Sequence, residues 1–143
     1  MKSQMTLRKA IQIFYEANLL NFSDRDISKE AKEFFKCHDI AHVIFDCDTS
    51  LIGEGKVKLW TIFGTTLGFW NHVKGYSEAN AFTLFKQYSV FHVLSNVFKL
   101  IGLAPITISR ARSMSKKWEW SEYEVYMDLP LDQIRKEFNI KEL

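Results

Sequence analysis

Apolar residues along most of the chain recur at three- and four-residue intervals, the period of a helix with one buried face. In "TLRKAIQIFYEANLL", Leu7, Ile11, Phe14 and Leu19 share one stripe. The next stretch, "FSDRDISKEAKEFFKCHDIAHVIF", opens at Ser23 or Asp24, both good N-caps, and its early acids suit the positive end of the helix dipole. That helix is expected to run to about Phe45. "DCDTS" then reads as a turn, because Asp and Ser side chains bond back to the backbone. A third helix is predicted from Thr49 or Ser50 through "LIGEGKVKLWTIFGTTLGFWNHV", with Gly64 and Gly68 spaced for a close helix crossing. A fourth covers "SEANAFTLFKQYSVFHVLSNVFKLIG", capped by Ser77 and ending near Gly102. Pro105 in "LAPITI" breaks the pattern. A fifth helix through "SRARSMSKKWEWSEYEVY" and a short sixth, "PLDQIRKEF" with Pro130 in its first turn, close the chain. β-branched runs bounded by turns are nearly absent, and only 105–109 is ambiguous. The expectation is an all-α fold of about six helices, with residues 1–143 forming a single domain.

Composition adds one question to that picture. Twelve Phe, five Tyr and four Trp make the chain 15% aromatic, which fits either a dense core or an apolar groove for a large hydrophobic ligand. The net charge of +2 is too small for a nucleic-acid binder. The basic run "SRARSMSKK" reads as a solvated helix face or as a contact for an anionic membrane surface. Two cysteines, Cys37 and Cys47, do not make a disulfide framework; they read as reduced thiols in a cytosolic protein. "MKSQMTLRKAIQIFYEAN" lacks the apolar core of a signal peptide. The apolar runs at 59–71 and 88–98 are too short to span a bilayer. A cytoplasmic location is expected, with contact at most peripheral to the inner face of a membrane.

The candidate chemistry sits in "FFKCHDIAHVIFDCDTSLIGE". His38 and His42 are four residues apart and share one helix face, the spacing by which two imidazoles hold one metal ion. Asp39 lies about 100° round the helix, as a ligand, an acceptor for an imidazole N–H or a proton-transfer group. If "DCDTS" reverses the chain, Glu54 swings over the histidine face, and Gly53 and Gly55 let the backbone approach. Three ligands with open positions suit a catalytic metal, a closed set of four suits structural zinc, and two His with one carboxylate also suits non-haem iron. Each residue also has a plain structural reading: a histidine pair on an amphipathic helix arises by chance, and Glu54 can be an ordinary first-turn acid. His72, near the expected end of its helix, and His92, in an apolar run, carry little weight.

His38, Asp39, His42 and, after eleven intervening residues, Glu54 resemble the HDxxH–x11–E motif of the coenzyme Q biosynthesis family known as coenzyme Q protein four. Members read HDxxHxxxGxxxxxxGE; Gly53–Glu54 matches the closing pair, and Asp46 stands where the family has its middle glycine. "KVKLW" follows as in the family. "WEWSEYEVYMDLPLDQIRKEFNI" is similar to its closing pattern through Trp118, Tyr123, Pro130, Leu131, Asp132, Arg135, Asn139 and Ile140. The resemblance covers about residues 30–142. It implies an all-helical fold and a divalent metal, zinc or alternatively iron, held by His38, Asp39, His42 and Glu54. It implies a lyase-type, metal-dependent decarboxylation, with hydroxylation, at C1 of a 4-hydroxy-polyprenylbenzoate in ubiquinone biosynthesis. Its implied partners are other quinone-biosynthesis proteins and a membrane surface. Asp39 or Glu54 would move the proton, and the 59–70 and 82–98 helices would line a trench for the prenyl tail.

Two other readings remain. One is a non-enzymatic scaffold that binds a polyprenylated aromatic or other long-chain lipid. The other is an HD-type metal phosphohydrolase, since "CHDIAH" is similar to its core; that class needs another histidine upstream, which is absent here, and a later Asp, for which Asp128 is the candidate.

Overall fold

Ser28 opens the helix that carries the histidine pair, its Oγ accepting a hydrogen bond from the Ala31 N–H at 3.1 Å. The computed structural model describes residues 5–18, 28–78 and 90–142, with the side chains of 75–78 and 90–94 left aside. Among the described residues six α-helices run in the order α1 (Leu7–Asn18), α2 (Lys29–Ile44), α3 (Leu51–Gly64), α4 (Gly68–Glu78), α5 (Val90–Arg112) and α6 (Leu131–Phe138), with a 3-10 turn at Tyr123–Tyr126 before the last. Among the described residues there is no strand, and the all-α expectation holds. The Ser23 and Asp24 caps and the Ser77-led start of the fourth helix through residue 89 fall wholly or partly outside the described residues.

Three expectations are corrected. The predicted third helix is two helices, because Thr65 turns extended (φ −120°, ψ 168°) and Trp118 returns to pair beside it. The Trp118 N–H donates to the Gly64 carbonyl at 2.8 Å and the Trp118 carbonyl accepts from Thr66 N–H at 3.0 Å. Gly68 then starts α4 at φ +74°, a left-handed conformation that glycine adopts without strain.

The second correction is at α5, which runs through both Gly102 and Pro105 to Arg112. Proline lacks the N–H that would bond the Ile101 carbonyl, but Ile101 and Pro105 are exposed, so water can satisfy that carbonyl. Among the described residues α5 makes its most extensive helix pairing with α3. The third is the predicted fifth helix, which ends at Arg112 and becomes an extended crossing that puts Trp118, Trp120 and Tyr123 into the core.

The core runs from Leu7 and Ile11 of α1 through Ile40, Ala41 and Ile44 of α2 to Val57 and Trp60 of α3, and closes on Leu131, Ile134 and Phe138 of α6. Phe45 stacks on Trp60 with ring centroids 4.6 Å apart, and Trp118 packs between Tyr126 and Phe138 at 4.9 and 5.2 Å. The C-terminal segment thus packs against both ends of the first half. Leu7 N–H donates to the Leu129 carbonyl and Leu131 N–H to that of Met5. No helix among the described residues is long and apolar enough to cross a membrane.

Candidate metal centre

The turn between α2 and α3 sets the site. Helix α2 ends with Asp46 in the left-handed region (φ 52°), and the Cys47 N–H reaches back to the His42 carbonyl at 2.9 Å. This is a Schellman-type ending. It occurs at the position where the motif of the resembling family carries glycine, the residue that takes this conformation most easily; Asp is among the few others that tolerate it. Arg135 of α6 secures the same helix end, donating to the carbonyls of Ile44 at 2.9 Å and Val43 at 2.8 Å. Asp48 and Ser50 then start α3. Asp48 Oδ1 accepts from the Ser50 N–H at 3.0 Å, and Ser50 Oγ accepts from the Gly53 N–H at 3.1 Å. Glu54 lies in the first turn of α3.

With the chain reversed this way, His38, His42 and Glu54 converge. One ligand atom from each lies within 4.8 Å of the others. His42 Nε2 is 3.1 Å from Glu54 Oε1, His38 Nε2 is 3.4 Å from Glu54 Oε2, and the two Nε2 atoms are 3.2 Å apart. Both histidines are buried and Glu54 is partly so. His42 Nδ1 faces the Cys47 carbonyl at 3.0 Å. A carbonyl only accepts, so Nδ1 carries the proton and Nε2 is the ligand atom. Phe14 stacks on the His42 ring at 5.5 Å and fixes its plane.

The protonation pattern follows from these contacts. Burial works against the Glu54 carboxylate, but hydrogen bonds from His38 and His42 and their charges outweigh it and hold Glu54 well below the usual carboxylate range. Burial also works against the His42 cation, and here the Glu54 bond and charge prevail, so its pKa is raised. At His38 burial wins and the pKa is lowered. The contact with Glu54 therefore favours the charged form of His42, and burial favours the neutral form of His38. Two imidazole nitrogens and a carboxylate oxygen aimed at one point fit a divalent metal ion.

Asp39 is buried, but it is not one of the three groups that converge. Its charge acts on His42 and on Tyr15 of α1, whose phenol is pushed far above its usual value, first by burial. Asp128, which the phosphohydrolase reading needs, is exposed and paired with Arg8 at 2.9 Å. The side chain of His92 lies outside the described residues. Two further residues lie near the centre: Lys58, which the motif does not include, and His72, which carries little weight in the sequence. Lys58 follows Glu54 by one helical turn, and His72, 5% exposed, comes from α4, which packs on both α2 and α3. The four-residue spacing from Glu54 was the signal for Lys58. Comparison of the chain with family models, curated proteins and solved structures returns no match.

Proposed function

We propose that this chain is a metal-dependent enzyme of ubiquinone biosynthesis that decarboxylates, with or without oxidation, a polyprenylated 4-hydroxybenzoate at C1. The observation that carries this reading is the convergence of His38 Nε2, His42 Nε2 and Glu54, the residues of the motif resemblance, within 4.8 Å. The left-handed backbone at Asp46, at the motif's glycine position, supports it. Bound there, zinc would supply Lewis acidity and iron would add redox chemistry.

The chain's own groups have definable roles. His42 would present a bare Nε2 once its proton toward Glu54 has left, and His38 would do so with its own Nε2 proton moved to Nδ1. The Cys47 carbonyl keeps His42 in the required tautomer. In the reaction the bond between C1 and the carboxyl carbon breaks and carbon dioxide leaves. The electron pair left on C1 takes a proton; in the oxidative alternative dioxygen accepts those two electrons and leaves as hydrogen peroxide, while a water molecule loses a proton and supplies the C1 hydroxyl. Glu54, beside both imidazoles, is the group positioned to pass a proton. Asp39 favours the charged state of His42 from the second layer.

Elemental analysis of purified wild type beside His38→Ala tests the centre, and release of carbon dioxide from a prenylated 4-hydroxybenzoate tests the reaction. The expected result is about one zinc or iron per chain, reduced at least about tenfold in affinity in the variant, a typical effect of disturbing a metal's ligands. Full occupancy in His38→Ala, or metal-loaded protein that releases no carbon dioxide, would overturn the corresponding half of the reading.

A second reading, a non-enzymatic prenyl-lipid-binding scaffold at a membrane surface, is favoured by the apolar side chains that α4 and α5 leave exposed. Trp70 is 80% and Phe98 73% exposed, with Phe69 and Ile101 beside them in sequence or one turn away. Lipid binding without turnover would select it.

A further inference from the structure

Helix α3 carries a second charged residue on the face that bears Glu54. Lys58 is four residues on, and helical side chains lean toward the helix N-terminus, so its stem runs back toward Glu54. It is only partly exposed. Burial lowers its pKa while the charge of Glu54 opposes that, and Lys58 in turn acts on His38. His72 is buried and comes from α4, which packs on both α2 and α3, the helices that bear His38 and Lys58. Burial first, and then the charges of His38 and Lys58, hold the His72 imidazole down at about 4, so it adds a hydrogen-bonding group without adding charge.

Charge counting says what such a cluster accepts. Two neutral imidazoles and one carboxylate would leave a divalent ion with one net positive charge, the Lys58 ammonium adds a second, and the buried Asp39 carboxylate that acts on His42 offsets one, so the local total stays positive at one. Partly buried positive charge of that size calls for an anion, and a site with three protein ligands has positions open to receive one. We propose that Lys58, with His72 beside it, forms the wall of the His38–His42–Glu54 centre that receives the carboxylate of the substrate. This deepens the metal-enzyme reading and rests on it. Lys58 is here a substrate-binding residue, and its charge selects a carboxylate over a neutral ring substituent.

Isothermal titration calorimetry with 4-hydroxybenzoate and with the uncharged 4-hydroxybenzamide tests this, on zinc-loaded and metal-free protein, with zinc content measured for each sample. Zinc-loaded wild type is expected to bind the benzoate in preference to the amide. Lys58→Met should keep its zinc yet bind the benzoate about tenfold or more weakly, the loss expected for one charge-assisted hydrogen bond. Its binding of the amide should be unchanged, and Lys58→Arg should restore most of the preference for the carboxylate. If Lys58→Met holds zinc and binds benzoate like wild type, the inference falls and the metal centre stands. If wild type takes no zinc but metal-free protein shows the Lys58-dependent preference, the metal reading falls and the anion wall stands. Wild type that fails to prefer benzoate in either form overturns the inference outright. Should Lys58→Met not fold, Lys58→Gln serves in its place.

Discussion

Gly53→Ala adds one methyl group at the point where the turn meets the centre. A Cβ at Gly53 would lie 2.0 Å from the Asp48 carbonyl oxygen and 2.1 Å from Asp48 Oδ1. Ordinary contact begins near 3.4 Å, so the two must part by about 1.4 Å. Asp48 is poorly placed to yield, because its Oδ1 holds the Ser50 N–H and Ser50 in turn caps α3 through the Gly53 N–H. Overpacking of this kind costs about 1–3 kcal/mol, and a weakened N-cap adds about 1 kcal/mol. The better helix propensity of alanine returns about 1 kcal/mol. The net is about 2 kcal/mol, or about 6 °C in Tm for a domain of this size. Glu54 moves with the turn, so zinc affinity is expected to fall about tenfold or more. Thermal melts and zinc competition against a chromophoric chelator measure both quantities. Two sister substitutions calibrate them. At Gly55 the three atoms nearest the new Cβ all belong to the Leu100 side chain, its methyls at 2.4 and 2.8 Å and Cγ at 3.2 Å, and at Gly102 it meets nothing within 4 Å. Gly102→Ala is therefore expected to raise Tm, in line with the gain of about 1 kcal/mol for alanine in a helix. A Gly53→Ala protein that melts at or above wild type and binds zinc equally well would refute the close contact between Gly53 and Asp48 and the turn built on it.

Arg135→Met removes two hydrogen bonds from a cation to the end of α2 and should lower Tm by about 6 °C, from a loss of about 2 kcal/mol; an unchanged melt would mean that water replaces them at no cost. Cys37 and Cys47 are buried and their thiols are each pushed up to about 12, first by burial. They stay protonated at pH 8, so labelling by Ellman's reagent in native protein with a chelator present should be at least about a hundredfold slower than in urea. Since an unfolded thiol ionises near its ordinary value, the same shift favours unfolding only as pH rises above about 9 toward 12. Fast native labelling at pH 8 would contradict the burial of both residues.

The triad was legible because it depends on local geometry. A four-residue spacing on one helix and a short reversing turn place His38, His42 and Glu54 together whatever surrounds them. The features that the sequence hid are decided at long range. Thr65 leaves the helix because Trp118, far along the chain, claims the Gly64 carbonyl. α5 passes Pro105 while packed along α3. One such miss produced another. With residues 51–73 taken as a single helix, His72 falls at a helix end beside solvent. With the break at Thr65 it becomes a buried residue of α4, a helix that packs on the two helices bearing the triad. The long-range break therefore changes the reading of a residue at the centre, while the motif itself is untouched by it.

The way the site is held also bears on what a metal does to the protein. Its geometry comes from backbone devices: the left-handed ending at Asp46, the carbonyls taken by Arg135, and the Ser50 cap of α3. The apolar core that α2 and α3 share with α6 runs from Ile44 and Trp60 to Phe138, and the buried His42 packs at its margin against Phe14. The Glu54 charge is already met by His42. A metal bound here would enter a site whose backbone turns are already set, whereas in a small zinc-dependent domain the metal brings the ligands together. Its effect on stability is then mass action, growing with the logarithm of metal concentration over Kd. The free energy of binding would then be left for holding the ion, which is the behaviour that separates a catalytic centre from a structural one and that a metal titration of stability would read.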